Sequence, residues 1–186
     1  MLLVFRLGHR LPRDERISTH VALVARAFGA DGIYYSGEKD KGLEESVKKI
    51  CEKWGGKFFI KYEANPMFLK NVKKKFTIVH LTMYGMPLNK KINKIKKEKN
   101  ILVVVGSEKV PAEIYQIADY NIAIGNQPHS EVGALAVFLH EYFGRKQLNK
   151  KFTGARIEIE PSERGKSIIR QSPNPSPFCL KIFLFM

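Results

Sequence analysis

The segment Ile101-Leu-Val-Val-Val105 restricts the fold of this 186-residue chain more than any other, because it sets five apolar residues in succession. Successive side chains of a strand point to opposite faces, so an unbroken apolar run predicts a strand covered on both sides. Strands of that kind belong to mainly parallel sheets with helices on both faces, an α/β architecture. The rest of the chain keeps the same rhythm. Further strands are expected at Leu2 to Phe5, Gly32 to Tyr35, Lys57 to Tyr62, Phe76 to Leu81 and Asn121 to Ile124. Helical patterns alternate with them. Ser18 or Thr19 is placed to cap a helix that Gly29 stops, and Leu43 to Trp54 is amphipathic and closed by Gly55-Gly56. Pro66 opens a short helix that ends in Lys73-Lys74-Lys75; Leu88 to Lys97, Pro111 to Ala118 and Ser130 to Phe143 complete the series.

Three strands run directly into small or polar loops: Val79-His-Leu-Thr-Met-Tyr-Gly85, Ile101 to Pro111, and Ile122-Ala-Ile-Gly-Asn-Gln-Pro-His-Ser-Glu131. In α/β proteins ligands bind where loops leave the carboxyl ends of strands, so three such loops predict one cleft. That cleft is the reason to expect an enzyme.

Charge points to the partner. Thirty-two Lys and Arg oppose 18 Asp and Glu, a formal net charge of +14. Such a surplus favours a polyanion, most commonly nucleic acid. High Lys alone is also a thermal adaptation, but Glu does not match it here. Arg6, His9, Arg10, Arg13 and Arg16 fall in one short basic loop, and arginine forks suit phosphate. Arg26 sits beside an apolar helix face and reads as a side chain that snorkels from it. The Lys90 to Lys99 run reads first as a solvated helix face.

Several functions are disfavoured. No Gly-x-Gly-x-x-Gly follows the first strand, and Gly106-Ser-Glu-Lys109 lacks phosphate-loop spacing. The five histidines and two cysteines show no ligand pairing, so no metal site is expected. Cys51 reads as a core residue in a reducing cytoplasmic setting. No stretch approaches a membrane span, and Met1 to Phe5 is too short for a signal peptide. Ser130 beside His129 suggests a hydrolase at first sight, but a serine before a helix is more often its N-cap. Composition shifts after Lys146, which divides the chain into a domain of residues 1–145 and an extension of residues 146–186. Within that extension Arg156 to Glu160 alternates like a strand, and Phe178 to Met186 is apolar with no functional account.

The motifs Arg6-Leu-Gly-His-Arg10, Arg13-Asp-Glu-Arg16, Thr19-His-Val21, His80-Leu-Thr-Met-Tyr-Gly85, Gly106-Ser-Glu-Lys-Val-Pro111 and Gly125-Asn-Gln-Pro-His-Ser-Glu-Val132 together resemble one family. It is the archaeal tRNA cytidine-56 2′-O-methyltransferases, of the SPOUT superfamily. The resemblance covers about residues 1 to 145. It implies a deep C-terminal trefoil knot, S-adenosyl-L-methionine (AdoMet) as cofactor, tRNA as substrate and a homodimer with composite active sites. It assigns cofactor binding to Leu81 and Thr82, to Gly106, Ser107, Glu108, Lys109 and Val110, and to Ile124, Gly125, Asn126, Gln127, Pro128, His129, Ser130 and Glu131. Arg16 resembles the arginine that ribose methyltransferases of this superfamily place at the methyl-acceptor site, with Arg10 and Arg26 as rivals. A guanidinium is a poor general base, so Arg16 is expected to orient the 2′-hydroxyl; His20 or a phosphate oxygen takes the proton. Two other readings fit parts of the sequence. One is a non-catalytic basic RNA-binding module, and the other is a SPOUT methyltransferase acting at another RNA position.

Overall fold

The structure, a computed structural model, describes residues 1–65, 67–106 and 109–170. Six strands make the main sheet: β1 (Leu2–His9), β2 (Gly32–Gly37), β3 (Phe59–Tyr62), β4 (Thr77–Pro87), β5 (Ile101–Val105) and β6 (Tyr120–Ala123). Their order is β3-β2-β1-β5-β4-β6 and every neighbouring pair is parallel. The helices between and after them are α1 (Glu15–Ala27), α2 (Lys41–Trp54), α3 (Phe68–Val72), α4 (Leu88–Ile95), α5 (Ala112–Ile117) and α6 (Glu131–Phe143).

The period of two along the strands divides the core into two layers. On one face Leu2, Val4, Val79, Ile101, Val103 and Val105 pack with apolar residues of α1, α2, α4 and α6, among them Val21, Val47, Ile95 and Phe138. On the other, Leu3, Phe5, Ile78, Leu102 and Val104 pack with α3 and α5 through Leu69, Ile114 and Ile117. All five residues of β5 are buried, as the unbroken run requires. Each buried Val, Leu or Ile contributes about 1.5–3 kcal/mol relative to exposure. β1 lies between β2 and β5, so strand order reverses there, and a crevice opens outside the carboxyl ends at such a point.

Some boundaries differ from expectation, for identifiable reasons. β1 continues to His9, because its ladder with β2 extends to the pair His9 and Gly37. α1 starts at Glu15, about a turn earlier than a Ser18 or Thr19 cap would place it. Asp14 precedes it but makes no side-chain cap, its carboxylate being held by Arg10 Nε at 3.1 Å. Ser18 is instead buried within the helix, its Oγ 2.8 Å from His9 Nδ1. β4 does not stop at Leu81. Both Leu81 and Met86 lie opposite Ile122, so Thr82-Met-Tyr-Gly85 bulges out between two paired stretches.

After α6, Lys146–Asn149 form a 3-10 turn, and β7 (Ile157–Glu160) pairs antiparallel with β8 (Ser167–Arg170). β8 carries only two apolar residues, both exposed, and so lacked the alternation that marks a strand. The extension is anchored to the end of α2, where Arg156 N donates to Lys53 O at 3.0 Å and Gly56 N to Thr153 O at 2.9 Å. Arg26 does not snorkel to solvent. It is 7% exposed, its Nη2 donates to Gly55 O at 2.6 Å, and its guanidinium lies 4.5 Å from the Phe152 ring centre. Pro66, Cys179 and the apolar stretch Phe178 to Met186 lie outside the described residues.

Candidate active site

The three loops meet. The β4 bulge (Leu81, Thr82, Met83, Tyr84), the end of β5 with Gly106 and Val110, and the β6–α6 loop with Ile124, Pro128 and His129 enclose a cleft of about 440 Å³. The first turn of α6 closes its floor with Glu131 and Ala134, and Tyr115 of α5 closes a side. Asn126 Nδ2 donates to Met83 O at 2.7 Å and ties the third loop to the first. Two glycines permit this crowding. A Cβ at Gly85 would lie 2.5 Å from the backbone of Asn121 and Ile122, and one at Gly106 would collide with the Val110 side chain. A groove of about 570 Å³ between α2 and the edge strand β3 is larger but receives none of these loops.

Eight of the expected cofactor residues share the cleft: Leu81, Thr82, Gly106, Val110, Ile124, Pro128, His129 and Glu131. Gly125 and Asn126, again with Ile124, line an adjoining groove between α4 and α6. Lys109, Gln127 and Ser130 are exposed. Ser130 is the N-cap of α6, its Oγ accepting from Val132 N at 3.2 Å, which is the capping role its position suggested. Ser107 and Glu108 lie outside the described residues. Arg16 is exposed in the first turn of α1, whereas Arg26 is at the far end of that helix beneath the extension.

Two residues that sequence did not assign to the cleft, Arg6 of the expected phosphate-binding loop and His80, now stand against it. Arg6 is 1% exposed, although it is charged. It lies opposite Val105 in the β1–β5 ladder, where strand order reverses. Its Nη2 is 3.5 Å from Glu131 Oε1 and 3.9 Å from Asp14 Oδ2. With Arg10 on Asp14, charges of alternating sign run Arg10, Asp14, Arg6, Glu131, from the basic loop to the first turn of α6. Burial lowers the Arg6 pKa from its ordinary value, and Glu131 and Asp14 oppose that shift. Burial would raise the Asp14 pKa, but the Arg10 hydrogen bond and the Arg6 charge outweigh it and hold it below its usual value. A lone arginine inside Leu2-Leu-Val-Phe-Arg-Leu7 was the signal available in sequence.

His80, on β4, is fully buried, and its ring meets Tyr115 edge-on at 4.7 Å. Asn121 Nδ2 donates to Tyr115 O at 2.9 Å, so the Asn121 Oδ1, 2.8 Å from His80 Nδ1, accepts. Nδ1 therefore carries the proton, and Nε2 bears a lone pair with no partner among the described residues. Burial lowers the His80 pKa, which the Asn121 bond only partly offsets, and this favours the neutral ring. Tyr115 Oη in turn shares a 3.0 Å hydrogen bond with Thr82 Oγ1 in the bulge.

Residues 54–169 match the profile of a family described as tRNA ribose 2′-O-methyltransferase, aTrm56. The chain is similar to the tRNA (cytidine(56)-2′-O)-methyltransferase of Methanocaldococcus jannaschii, at 52% identity over 92% of this chain and 97% of that protein. It is also similar to the protein of that name from Archaeoglobus fulgidus, at 54% identity over 90% of this chain and 98% of the relative. Among solved structures it resembles an A. aeolicus TrmH/SpoU tRNA modifying enzyme (TM-score 0.57, 23% identity, 79% of this chain and 76% of the other). The SpoU methyltransferase AviRb of Streptomyces viridochromogenes, solved with AdoMet, gives TM-score 0.58 at 14% identity over 81% of this chain and 59% of the other. These two likenesses concern the fold.

Proposed function

This chain belongs to the tRNA ribose 2′-O-methyltransferase family, and from that premise we propose that it methylates the ribose 2′-oxygen of cytidine 56 in tRNA with AdoMet as donor. The observation that carries the chemistry is the convergence of three loops at the carboxyl edge of a parallel sheet, beside a buried chain of paired charges. A non-catalytic RNA-binding module needs the basic surface but no such cleft.

The cleft suits the cofactor. Gly85 and Gly106 keep backbone where a side chain would not fit, and Leu81, Val110 and Ile124 offer apolar contact for an adenine ring. Glu131 provides negative charge close to a bound cation, and Arg6 holds its carboxylate in place. When bound, AdoMet supplies an electrophilic methyl group on a sulfonium. Arg16 orients the 2′-hydroxyl and the adjacent phosphate and stabilises charge developing on the oxygen. His20 or a phosphate oxygen would accept the proton that the 2′-hydroxyl gives up as its oxygen gains the methyl group. Positioning the two reactants in line provides most of the acceleration. In this reading Arg10 holds Asp14, the residue that precedes the helix carrying Arg16, and Arg26 has a packing role.

The same reading includes the trefoil knot, a cytoplasmic setting and a homodimer with composite active sites. The dimer is supported by the exposed apolar side chains Met86 and Val137, which lie along β4 and α6 near the open edge strand β6. Transfer of labelled methyl from AdoMet to an unmodified archaeal tRNA transcript, followed by nucleotide mapping, tests the function. Label on the ribose of cytidine 56 is expected. Tight tRNA binding without transfer would favour the binding module, and label elsewhere would move the target.

A further inference from the structure

The amino ends of the strands, opposite the cleft, carry a different pattern of charge. Residues 73–75 lead into β4 and residues 96–99 into β5, and the two turns lie side by side. Asn100 Nδ2 donates to Lys75 O at 3.3 Å, and Thr77 N donates to Asn100 O at 2.9 Å. The terminal ammonium of Met1 reaches the same place and donates to Lys99 O at 3.2 Å. Lys73, Lys74, Lys75, Lys96, Lys97 and Lys99 are all exposed there.

The carboxylates sharing this edge are engaged in holding strand starts. Asp31 accepts from Leu2 N at 2.7 Å, Asp119 from Ile78 N at 2.8 Å, and Glu98 from Thr77 Oγ1 at 3.1 Å. Lys73 pairs with Asp119 at 3.1 Å. The other five lysines make no ion pair among the described residues. An ordinary solvated surface intersperses both signs; here one sign is left over on two adjacent turns. Lysines act as flexible point charges, suited to phosphates whose exact geometry is not read.

Resting on the proposed function, we infer that this edge is a second contact surface for the phosphate backbone of the tRNA. β5 spans five residues, so the patch lies only about 16 Å from the cleft along the strand direction. A folded tRNA extends well beyond that distance. An RNA with one nucleotide in the cleft therefore has backbone available for the lysine turns.

The test is the quadruple variant K74Q/K75Q/K96Q/K97Q in the full chain, measured against unmodified tRNA transcript over roughly 50–200 mM salt. These side chains are exposed, and AdoMet affinity reports whether the fold and cleft are intact. Expected are tRNA binding weakened at least about tenfold, a log–log salt slope shallower by about 3, and an unchanged AdoMet Kd. Wild-type transfer together with an identical tRNA Kd and slope for the variant would overturn this surface alone. A wild-type protein that neither binds tRNA nor transfers methyl would remove the function reading, and this surface with it.

Discussion

The two ends of the same parallel sheet differ in how they treat charge. At the carboxyl edge, charges are brought inside: Arg6 is 1% exposed and paired with Glu131 and Asp14. At the amino edge, lysines stay outside, and the carboxylates hold strand starts, with Lys73 alone of the six lysines pairing with one of them among the described residues. Buried charge costs desolvation energy and is sustained only with defined partners, so it fixes geometry. Exposed lysine costs little and fixes nothing, but it attracts phosphate over a Debye length of about 8–10 Å. In the proposed function, one end positions reacting groups and the other holds a large polyanion without reading it.

Substitutions can break that contrast. Arg16→Ala should have the largest effect, lowering methyl transfer by at least about 10²–10³-fold while AdoMet affinity stays nearly intact. Loss of AdoMet binding in calorimetry would refute the role given to Arg16. Arg6→Met should come next. It leaves Glu131 and Asp14 without their shared cation, and urea unfolding should show a loss of about 3 kcal/mol. A variant as stable as wild type would mean that the buried chain of charges is not a structural element of this edge.

Gly106→Val should be milder and of a different kind, with AdoMet Kd raised about tenfold or more because the new side chain meets Val110. Unchanged cofactor affinity would argue against the second loop as part of the site. The smallest effect is expected from Asp14→Asn and is seen only against pH. The folded-state pKa of Asp14 is depressed below its ordinary 3.8. Its stabilisation is therefore present above that value and is lost as pH falls through the lower folded one. Melting temperatures of wild type and variant should converge in strong acid and separate above about pH 4. A constant difference across that range would place the stabilisation elsewhere.

Much of this was legible in residue order. The valine run of β5, the glycine stop after α6 and the Ser130 cap are local signals, and the structure carries each of them. The three loops that meet at the cleft were also visible, because each strand ends abruptly in small or polar residues. The boundaries that moved did so where a neighbour intervened. β1 was lengthened by its pairing with β2, and β4 was carried past Leu81 by renewed pairing with Ile122. β8 lacks the alternation that marks a strand, and the packing of Arg26 depends on contacts with distant segments that periodicity does not record.

Alternation of apolar runs with amphipathic helices, the excess of lysine and arginine, and the motifs at strand ends are properties of the chain before it folds. They determine an α/β sheet, a polyanionic partner and the family, since each rests on local periodicity, on composition or on contiguous residues. The pairing of Arg6 with Glu131, residues 125 positions apart, is a tertiary property. So are the His80 nitrogen that has no partner among the described residues and the meeting of Lys73, Lys74 and Lys75 with Lys96, Lys97 and Lys99. Sheet order alone brings those groups together, and burial alone decides which of them keep water and which must find a partner.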